Sequence, residues 1–194
     1  MSISRLPARR ADRTSPFCLP LTVSRSALLE SGSDRRFRQL IYDLLTISVR
    51  MQAVRQHLAR RLGISAPQYS VLIAIAQLQG DAGVSVGKIA QVLHVSSAFI
   101  AMETGRLGRL GLVVKAVNRQ DRRGVLLRLT SRGETQIAAV SPAIKAINDR
   151  FFAPLTRKTF QAFTACAAQL VESSRKVVEP PQSNDDNALA RAAE

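Results

Sequence analysis

The side chains that could do chemistry are concentrated in residues 106–132. Eight arginines and lysines fall in this stretch against one acid, Asp121, so the stretch carries a net charge of +7, half of the chain's formal +14. Guanidinium and ammonium groups at this density bind phosphate oxygens. An excess of positive charge also repels itself in a compact protein, so its retention indicates an anionic partner. The stretch predicts binding to nucleic acid, with an acidic membrane surface and a solvated basic surface as the alternatives.

Other kinds of chemistry have few candidate residues. The two histidines, His57 and His94, and the two cysteines, Cys18 and Cys166, are not spaced as zinc ligands are. The chain contains no phosphate-binding glycine loop, no nucleophile elbow and no convincing cluster of carboxylates. We therefore expect neither an enzyme, a cofactor nor a metal site. His94 is predicted to lie in a turn.

The absence of targeting patterns indicates a cytoplasmic protein. The apolar run 17–23 is too short for a secretory signal, Pro20 interrupts it, and no segment has the length and apolarity of a membrane span. Both thiols are then expected to be reduced. Cys166, among alanines, is predicted to be a small core residue, whereas redox sensing by Cys18 is the less favoured alternative to a passive role.

The two ends of the chain differ in composition from the middle. Residues 1–34 are rich in Arg, Ser and Pro and predict a flexible basic arm, and residues 179–194 predict a disordered tail. From Phe37 to Leu58, apolar residues recur every three or four positions, which predicts one long helix that Gly63 ends. A single lobe could not cover so long an apolar seam. We therefore expect residues 35–64 and 131–178 to form a helical dimerisation region.

Residues 65–130 predict a compact lobe of helices and strands. Ser65 and Gln68 have capping-box spacing and open a helix that runs to about residue 78, with Tyr69, Leu72, Ile73 and Ala76 on one face. Two short helices follow, 86–94 and 96–111, capped by Ser85 and Ser96 and joined by a tight turn. Such a pair is typical of a helix-turn-helix motif. The inward side chains of its second helix are predicted to be Ile100, Thr104 and Leu107.

The pattern changes to strands after Gly111. The runs 112–117 and 125–129 are rich in β-formers, and the basic segment 118–124 between them predicts a hairpin with a cationic tip. Ser131 and Glu134 then form a capping pair that opens a helix to about Asn148, which Pro142 should kink or split, and a last helix runs from 157 to 177. The fold class is therefore mainly α with a small β-hairpin wing.

This order of elements places the basic residues where DNA would lie. The second helix of a helix-turn-helix enters the major groove, and a hairpin beside it can contact the phosphates or the minor groove. The predicted DNA-binding residues are the outward side of that helix with its N-cap, and the hairpin tip: Ser96, Ser97, Ala98, Ala101, Met102, Arg106, Arg109, Arg119, Asp121, Arg122 and Arg123. Gly105 lies on the same smooth, slightly apolar face, which suits close approach of the backbone to the groove.

The run from Asp121 to Thr130, followed by Gly133, resembles the wing signature of MarR-type transcriptional regulators. The segments 67–69 and 93–96 also resemble that family, and the similarity covers roughly residues 37–177. It implies a winged helix-turn-helix homodimer on double-stranded DNA. In this resemblance Arg123 enters the minor groove, Asp121 steadies the wing, and Ser96 and Arg122 approach phosphate.

The resemblance also implies an effector, because relatives bind small aromatic or anionic molecules between the dimer helices and the DNA-binding lobe. The candidate effector residues are Tyr42, Arg50, Met51, His57, Tyr69 and Ile73, for which plain core packing is the alternative. The predicted function is a ligand-responsive regulator, in the first place a repressor, that binds a pseudo-palindromic operator as a homodimer. The alternative is a weakly specific, constitutive DNA-binding protein without an effector.

Overall fold

The computed structural model describes residues 19–117 and 124–178. These residues form six helices and a three-stranded antiparallel sheet, so the predicted fold class is confirmed. The chain divides into two compact units, residues 1–55 and 56–194, at a point inside the first helix. The elements are α1 (Arg35–Arg61), α2 (Ala66–Leu78), β1 (Val84–Ser85), α3 (Val86–Leu93), α4 (Ser97–Arg109), β2 (Val113–Val117), β3 (Val125–Leu129), α5 (Ser131–Phe151) and α6 (Arg157–Val178).

The segment 19–34 is structured, where the sequence predicts part of a flexible arm. It contains a 3-10 turn at Ser26–Leu28 and a tight turn closed by two backbone hydrogen bonds between Glu30 and Ser33. The cause is Asp34, whose 1% exposed carboxylate accepts hydrogen bonds of 2.7 Å from both the backbone nitrogen and the hydroxyl of Thr22. These residues thus have a defined conformation, and the flexibility of the arm stays a prediction. Residues 1–18 lie outside the described part of the chain.

The hydrogen bonds of Asp34 also set its ionisation. The backbone N–H and then the hydroxyl of Thr22 lower the pKa of Asp34 below its ordinary 3.8, and the Arg38 guanidinium, 2.6 Å away, acts in the same direction against the desolvation of the carboxyl. The carboxylate therefore stays charged in acid in which a free aspartate would be protonated.

Helix α1 leaves its apolar seam exposed in the single chain. Five bulky members of the seam are each more than a third exposed: Leu40, Ile41, Leu44, Ile47 and Met51. The helix ends as predicted, with Gly63 in the left-handed region at φ 66° and the Ile64 backbone nitrogen donating to Ala59.

Helix α2 is the centre of the lobe. The predicted capping box is present, because Gln68 donates its backbone N–H to the Ser65 hydroxyl while the Gln68 side chain accepts from the Ser65 nitrogen. The prediction of one inward face is wrong, since Val71 and Ala74 are buried along with Leu72 and Tyr69. Helices α3 and α4 and strand β3 all pack on α2, so it is covered on several sides.

The sheet has the order β1-β3-β2. Strands β2 and β3 pair from Val113 opposite Leu129 to Val117 opposite Val125, as the predicted hairpin requires. Strand β1 was not predicted, because two residues carry no periodic signal. It is held by pairing of Val84 with Leu127.

Helix α5 begins at Ser131, one residue earlier than it would if Ser131 were the N-cap as predicted. Its N-cap is Thr130, whose hydroxyl accepts from the Gly133 nitrogen at 3.0 Å, so the Ser131 and Glu134 capping box is wrong. The helix passes Pro142 unbroken and ends at Phe151, beyond the predicted Asn148. The predicted split does not occur, because a proline removes one backbone hydrogen bond while the turns on either side remain.

Helix α6 matches its predicted span but not its predicted burial. Cys166 is exposed in the single chain, so its prediction as a core residue is wrong. Its neighbours on the same helix, Phe160, Phe163 and Leu170, are exposed as well, since nothing in the described chain covers this part of α6. None of the described helices combines the length and apolarity needed to span a membrane.

Candidate nucleic-acid interface

The helix-turn-helix is built from two capped helices and one left-handed residue. Ser85 caps α3 by accepting from the Lys88 nitrogen at 3.2 Å, and Ser96 caps α4 by accepting from the Phe99 nitrogen at 3.1 Å. Between them His94 adopts φ 53° and ψ 47°, which confirms it as the turn residue. The Val95 nitrogen donates to the Ala90 carbonyl at 3.1 Å, so the turn is fixed by backbone geometry.

Helix α4 has the inward face that the sequence predicts. Ile100, Thr104 and Leu107 are at most 1% exposed and pack in the lobe. The opposite face is accessible: Ser96, Ser97, Ala98, Ala101, Met102, Arg106 and Arg109 are exposed, and Gly105 is half-buried. A helix presented in this way can lay a face of small side chains, with two arginines in its last turn, against the floor of a major groove.

Glu103 is a residue of this helix that the sequence reasoning missed. Its side chain is only 2% exposed, and one of its carboxylate oxygens accepts a hydrogen bond of 2.8 Å from the Arg106 guanidinium. The signal was available, because position 103 lies three residues after Ile100 and four before Leu107 and is thus on the inward face.

The tip of the hairpin lies outside the described residues. Strands β2 and β3 lead into it from Val117 and Val125, but residues 118–123 are not described. The predicted wing contacts fall there: Arg119, Asp121, Arg122 and Arg123. They stay predictions. On β2, Lys115 is exposed, and on β3 the Arg128 guanidinium donates to the Asp81 carbonyl.

The candidate effector residues have different environments. Tyr42, Arg50 and Met51 are exposed on the part of α1 that belongs to the first unit. In the second unit His57 is exposed, Ile73 is half-buried and Tyr69 is 7% exposed. Burial raises the pKa of the Tyr69 phenol. The burial of Tyr69 favours the packing alternative for this residue.

No group of three or more histidine, cysteine, aspartate or glutamate side chains in residues 19–117 and 124–178 is placed to hold a metal ion. The candidate functional surface of the described lobe is the accessible face of α4. A helix-turn-helix followed by an antiparallel β2–β3 pair defines a winged helix-turn-helix protein.

Comparison with known proteins extends this assignment. Residues 62–124 match the model of the MarR family. AbsC of Streptomyces coelicolor, a MarR family transcriptional regulator, is 18% identical with a TM-score of 0.63 over 72% of this chain and 94% of its own. MepR of S. aureus, solved as a DNA complex, is 20% identical with a TM-score of 0.59, over 68% of this chain and 96% of its own. PcaV of Streptomyces coelicolor, solved with its natural ligand, is 27% identical with a TM-score of 0.52, over 66% of this chain and 90% of its own.

No protein in the curated set matches the chain. The family model covers the helix-turn-helix and the start of the wing, and the structural matches extend over two thirds or more of the chain. Residues 62–124 thus match the MarR family, and the chain shares its fold with MarR-type regulators, which confirms the resemblance seen in the sequence.

Proposed function

We propose that the protein is a homodimeric, ligand-responsive repressor that binds a pseudo-palindromic DNA operator. The observation that carries the proposal is the accessible face of α4, with small side chains along its length and Arg106 and Arg109 in its last turn. In this proposal residues 65–130 bind DNA, whereas 35–64 and 131–178 form the dimer. Residues 1–34 and 179–194 are accessory.

The DNA contacts divide by groove. Ser96 and Ser97 at the start of α4 approach a phosphate, and Ala101 and Met102 contact base edges, where apolar groups fit the thymine methyl. Arg109 neutralises a phosphate. Arg119, Arg122 and Arg123 of the wing reach the adjacent backbone and minor groove, with Asp121 steadying the wing. The DNA-bound structure of MepR, which shares the fold, supports this mode of binding.

The exposed apolar side chains of the terminal helices support dimerisation. On α1 the five exposed members of the seam named above are 37–48% exposed, and on α6 Phe160, Phe163 and Leu170 are 47–59% exposed. Apolar surface of this extent marks an interaction site. A second copy covers it symmetrically and places two lobes about 34 Å apart, one helical turn of DNA.

An effector acts by changing the spacing of the two lobes. A small aromatic or anionic molecule that binds better to a dimer of different spacing shifts the population away from the form that fits DNA. PcaV, which was solved with its natural ligand, supports a ligand-binding role. Tyr42, Arg50 and Met51 are our candidates on α1, and His57, Tyr69 and Ile73 are our candidates in the second unit.

One observation favours a second candidate function, constitutive and weakly specific DNA binding. Between Ser97 and Gly105 the accessible face of α4 carries Ala98, Ala101 and Met102, none of which can form bidentate hydrogen bonds with a base. Such a protein would use charge and DNA shape. Its specific and non-specific affinities would differ little at fixed salt.

Selection from random duplexes, followed by binding titrations, tests the proposal. The repressor predicts an enriched palindrome, bound far more tightly than scrambled DNA and released by members of a panel of aromatic carboxylates. No enriched sequence would contradict the repressor and favour the second candidate. An enriched palindrome that no compound in the panel releases would contradict the aromatic effector.

A salt titration on the selected duplex tests the phosphate contact. Arg109→Ala should reduce the slope of log affinity against log salt by about 0.9, because one phosphate contact is lost. Arg150→Ala, at the far end of α5, removes an equal charge from an exposed position and should leave the slope unchanged. Equal slopes for the two variants would contradict the role of Arg109.

A further inference from the structure

The ion pair of Glu103 and Arg106 in α4 places a buried carboxylate on the inward face of the helix, which is unusual. Glu103 shares this face with Ile100, Thr104 and Leu107, yet it carries a carboxylate that is 2% exposed. One oxygen, Oε1, accepts from Arg106 Nη1 at 2.8 Å. The other, Oε2, is buried and has no hydrogen-bond partner in the part of the chain that the structure describes.

Stability does not explain this arrangement. Burying a carboxylate costs more than one hydrogen-bonded partner returns, and replacing a buried ion pair by apolar groups of similar size is often neutral or stabilising. A leucine at position 103 would extend the apolar contacts of Ile100 and Leu107. We therefore look for the role of Glu103 in its effect on the side chain of Arg106.

Arg106 lies at the boundary between the core and the accessible face. Its side chain is 46% exposed, so Glu103 holds Nη1 while part of the Arg106 side chain remains accessible from outside the lobe. A guanidinium is planar, so holding one nitrogen restricts the directions that the remaining donors can take. An arginine held in this way loses less conformational entropy on binding than a free one. Its pairing with a carboxylate also weakens its attraction for any nearby phosphate.

We propose that Glu103 is a positioning residue that turns Arg106 into a reader of a guanine in the major groove, instead of a general phosphate contact. Guanine offers two acceptors, O6 and N7, on its major-groove edge, and oriented arginine donors match them. This inference rests on the proposed DNA-binding role of α4. It gives the otherwise smooth face of that helix one specific hydrogen-bonding contact per protomer.

The test uses the duplex that the full-length wild-type protein selects, together with duplexes that carry a single base change at each position. Wild-type protein should prefer one guanine per half-site by about tenfold, and Arg106→Ala should abolish that preference. Glu103→Leu should also abolish it, while affinity for scrambled DNA rises because the Arg106 charge is released. When Glu103→Leu is added to Arg106→Ala, the base preference should not change further, because the two residues act as one unit.

Arg109→Ala is the matched control, since it removes the other arginine of the last turn of α4. It should weaken binding to all duplexes alike and keep the guanine preference, and Glu103→Leu should still abolish that preference in the Arg109→Ala background. Thermal unfolding shows whether Glu103→Leu folds. If it does not, Glu103→Gln, which keeps the shape and loses the charge, should lower the preference in the same direction.

Two results would overturn the inference in different ways. If the wild-type protein selects a sequence and the folded Glu103 variants keep the guanine preference, Glu103 does not position Arg106 for reading, although the proposed function stands. If the wild-type protein selects no sequence, the proposed function fails and this inference fails with it.

Discussion

Gly105 lies on the accessible face of α4 and is the smallest residue there. A Cβ atom built on it meets no atom within 4 Å, so an alanine fits the free protein without any adjustment. Alanine is favoured over glycine inside a helix by about 1 kcal/mol per residue. For a protein of this size that gain corresponds to an increase of roughly 2–4 °C in Tm. Gly105→Ala should therefore stabilise the free protein.

The same substitution should weaken DNA binding. If the α4 backbone approaches the bases closely, an added methyl group at position 105 overlaps the groove floor, and overpacking of this kind costs about 1–3 kcal/mol. That cost corresponds to roughly a 5- to 150-fold loss of affinity per half-site. The expected signature is a variant that is more stable and binds less tightly.

Urea unfolding at fixed protomer concentration and fluorescence anisotropy on the selected duplex measure the two effects. Gly87→Ala in α3 is the matched control, because its Cβ also meets nothing within 4 Å and it should gain stability without losing affinity. A Gly105→Ala protein that is stabilised but binds with wild-type affinity would refute close approach of the α4 backbone to the bases.

Four other changes test other parts of the molecule. Gly133→Ala should lower the free energy of unfolding by about 1–3 kcal/mol, because its Cβ would overlap the Leu112 carbonyl oxygen; an unchanged urea midpoint would contradict the packing. The pKa of Asp34 is lowered on folding, so its contribution to stability is complete above pH 3.8 and is lost as the pH falls through the lowered value. The rate of proteolysis of the 19–34 segment should thus increase in acid. The increase should be smaller in Asp34→Asn, because that substitution already loosens the segment at neutral pH. Proteolysis rates that depend on pH in the same way in both proteins would contradict this. Leu44→Lys should shift light scattering towards monomer, and a wild-type protein that is itself a folded monomer at micromolar concentration would exclude the dimer. Arg123→Ala should weaken binding most on operators with A·T-rich flanks, whose narrow minor grooves concentrate negative potential; equal affinity on every flank would contradict a minor-groove role.

The elements that the sequence predicts well are those whose signals are local. The capping serines Ser65, Ser85 and Ser96 mark helix starts through hydrogen bonds to residues three positions away, and all three form as predicted. Gly63 and Gly111 end helices because their positive φ angles suit glycine. The accessible face of α4 follows from its helical period. This part of the candidate site could therefore be found without a structure.

The features that were missed depend on residues distant in the sequence. The folding of segment 19–34 depends on a carboxylate that reaches Thr22, twelve positions away. Strand β1 exists only because β3 is beside it, and Thr130 becomes the N-cap in place of Ser131 where the chain leaves β3. Glu103 is buried because the lobe closes around it, although its charge favours exposure.

Thr130 joins three parts of the lobe at one point. Its hydroxyl donates to the Gly111 carbonyl at 2.6 Å, just past the end of α4, and accepts from Gly133 in the first turn of α5, while its backbone nitrogen donates to Leu112. This joint links the end of α4 to the start of α5, so a change in the angle of α5 would be passed to α4. Helix α4 has 13 residues, so its first turn lies about 20 Å from the joint. A rotation of α5 by about 5° would then move Ser96 by roughly 1.7 Å, more than half the length of a hydrogen bond. Under the proposed function, the joint at Thr130 would thus amplify a small change in the angle of α5 at the end of α4 that approaches the DNA.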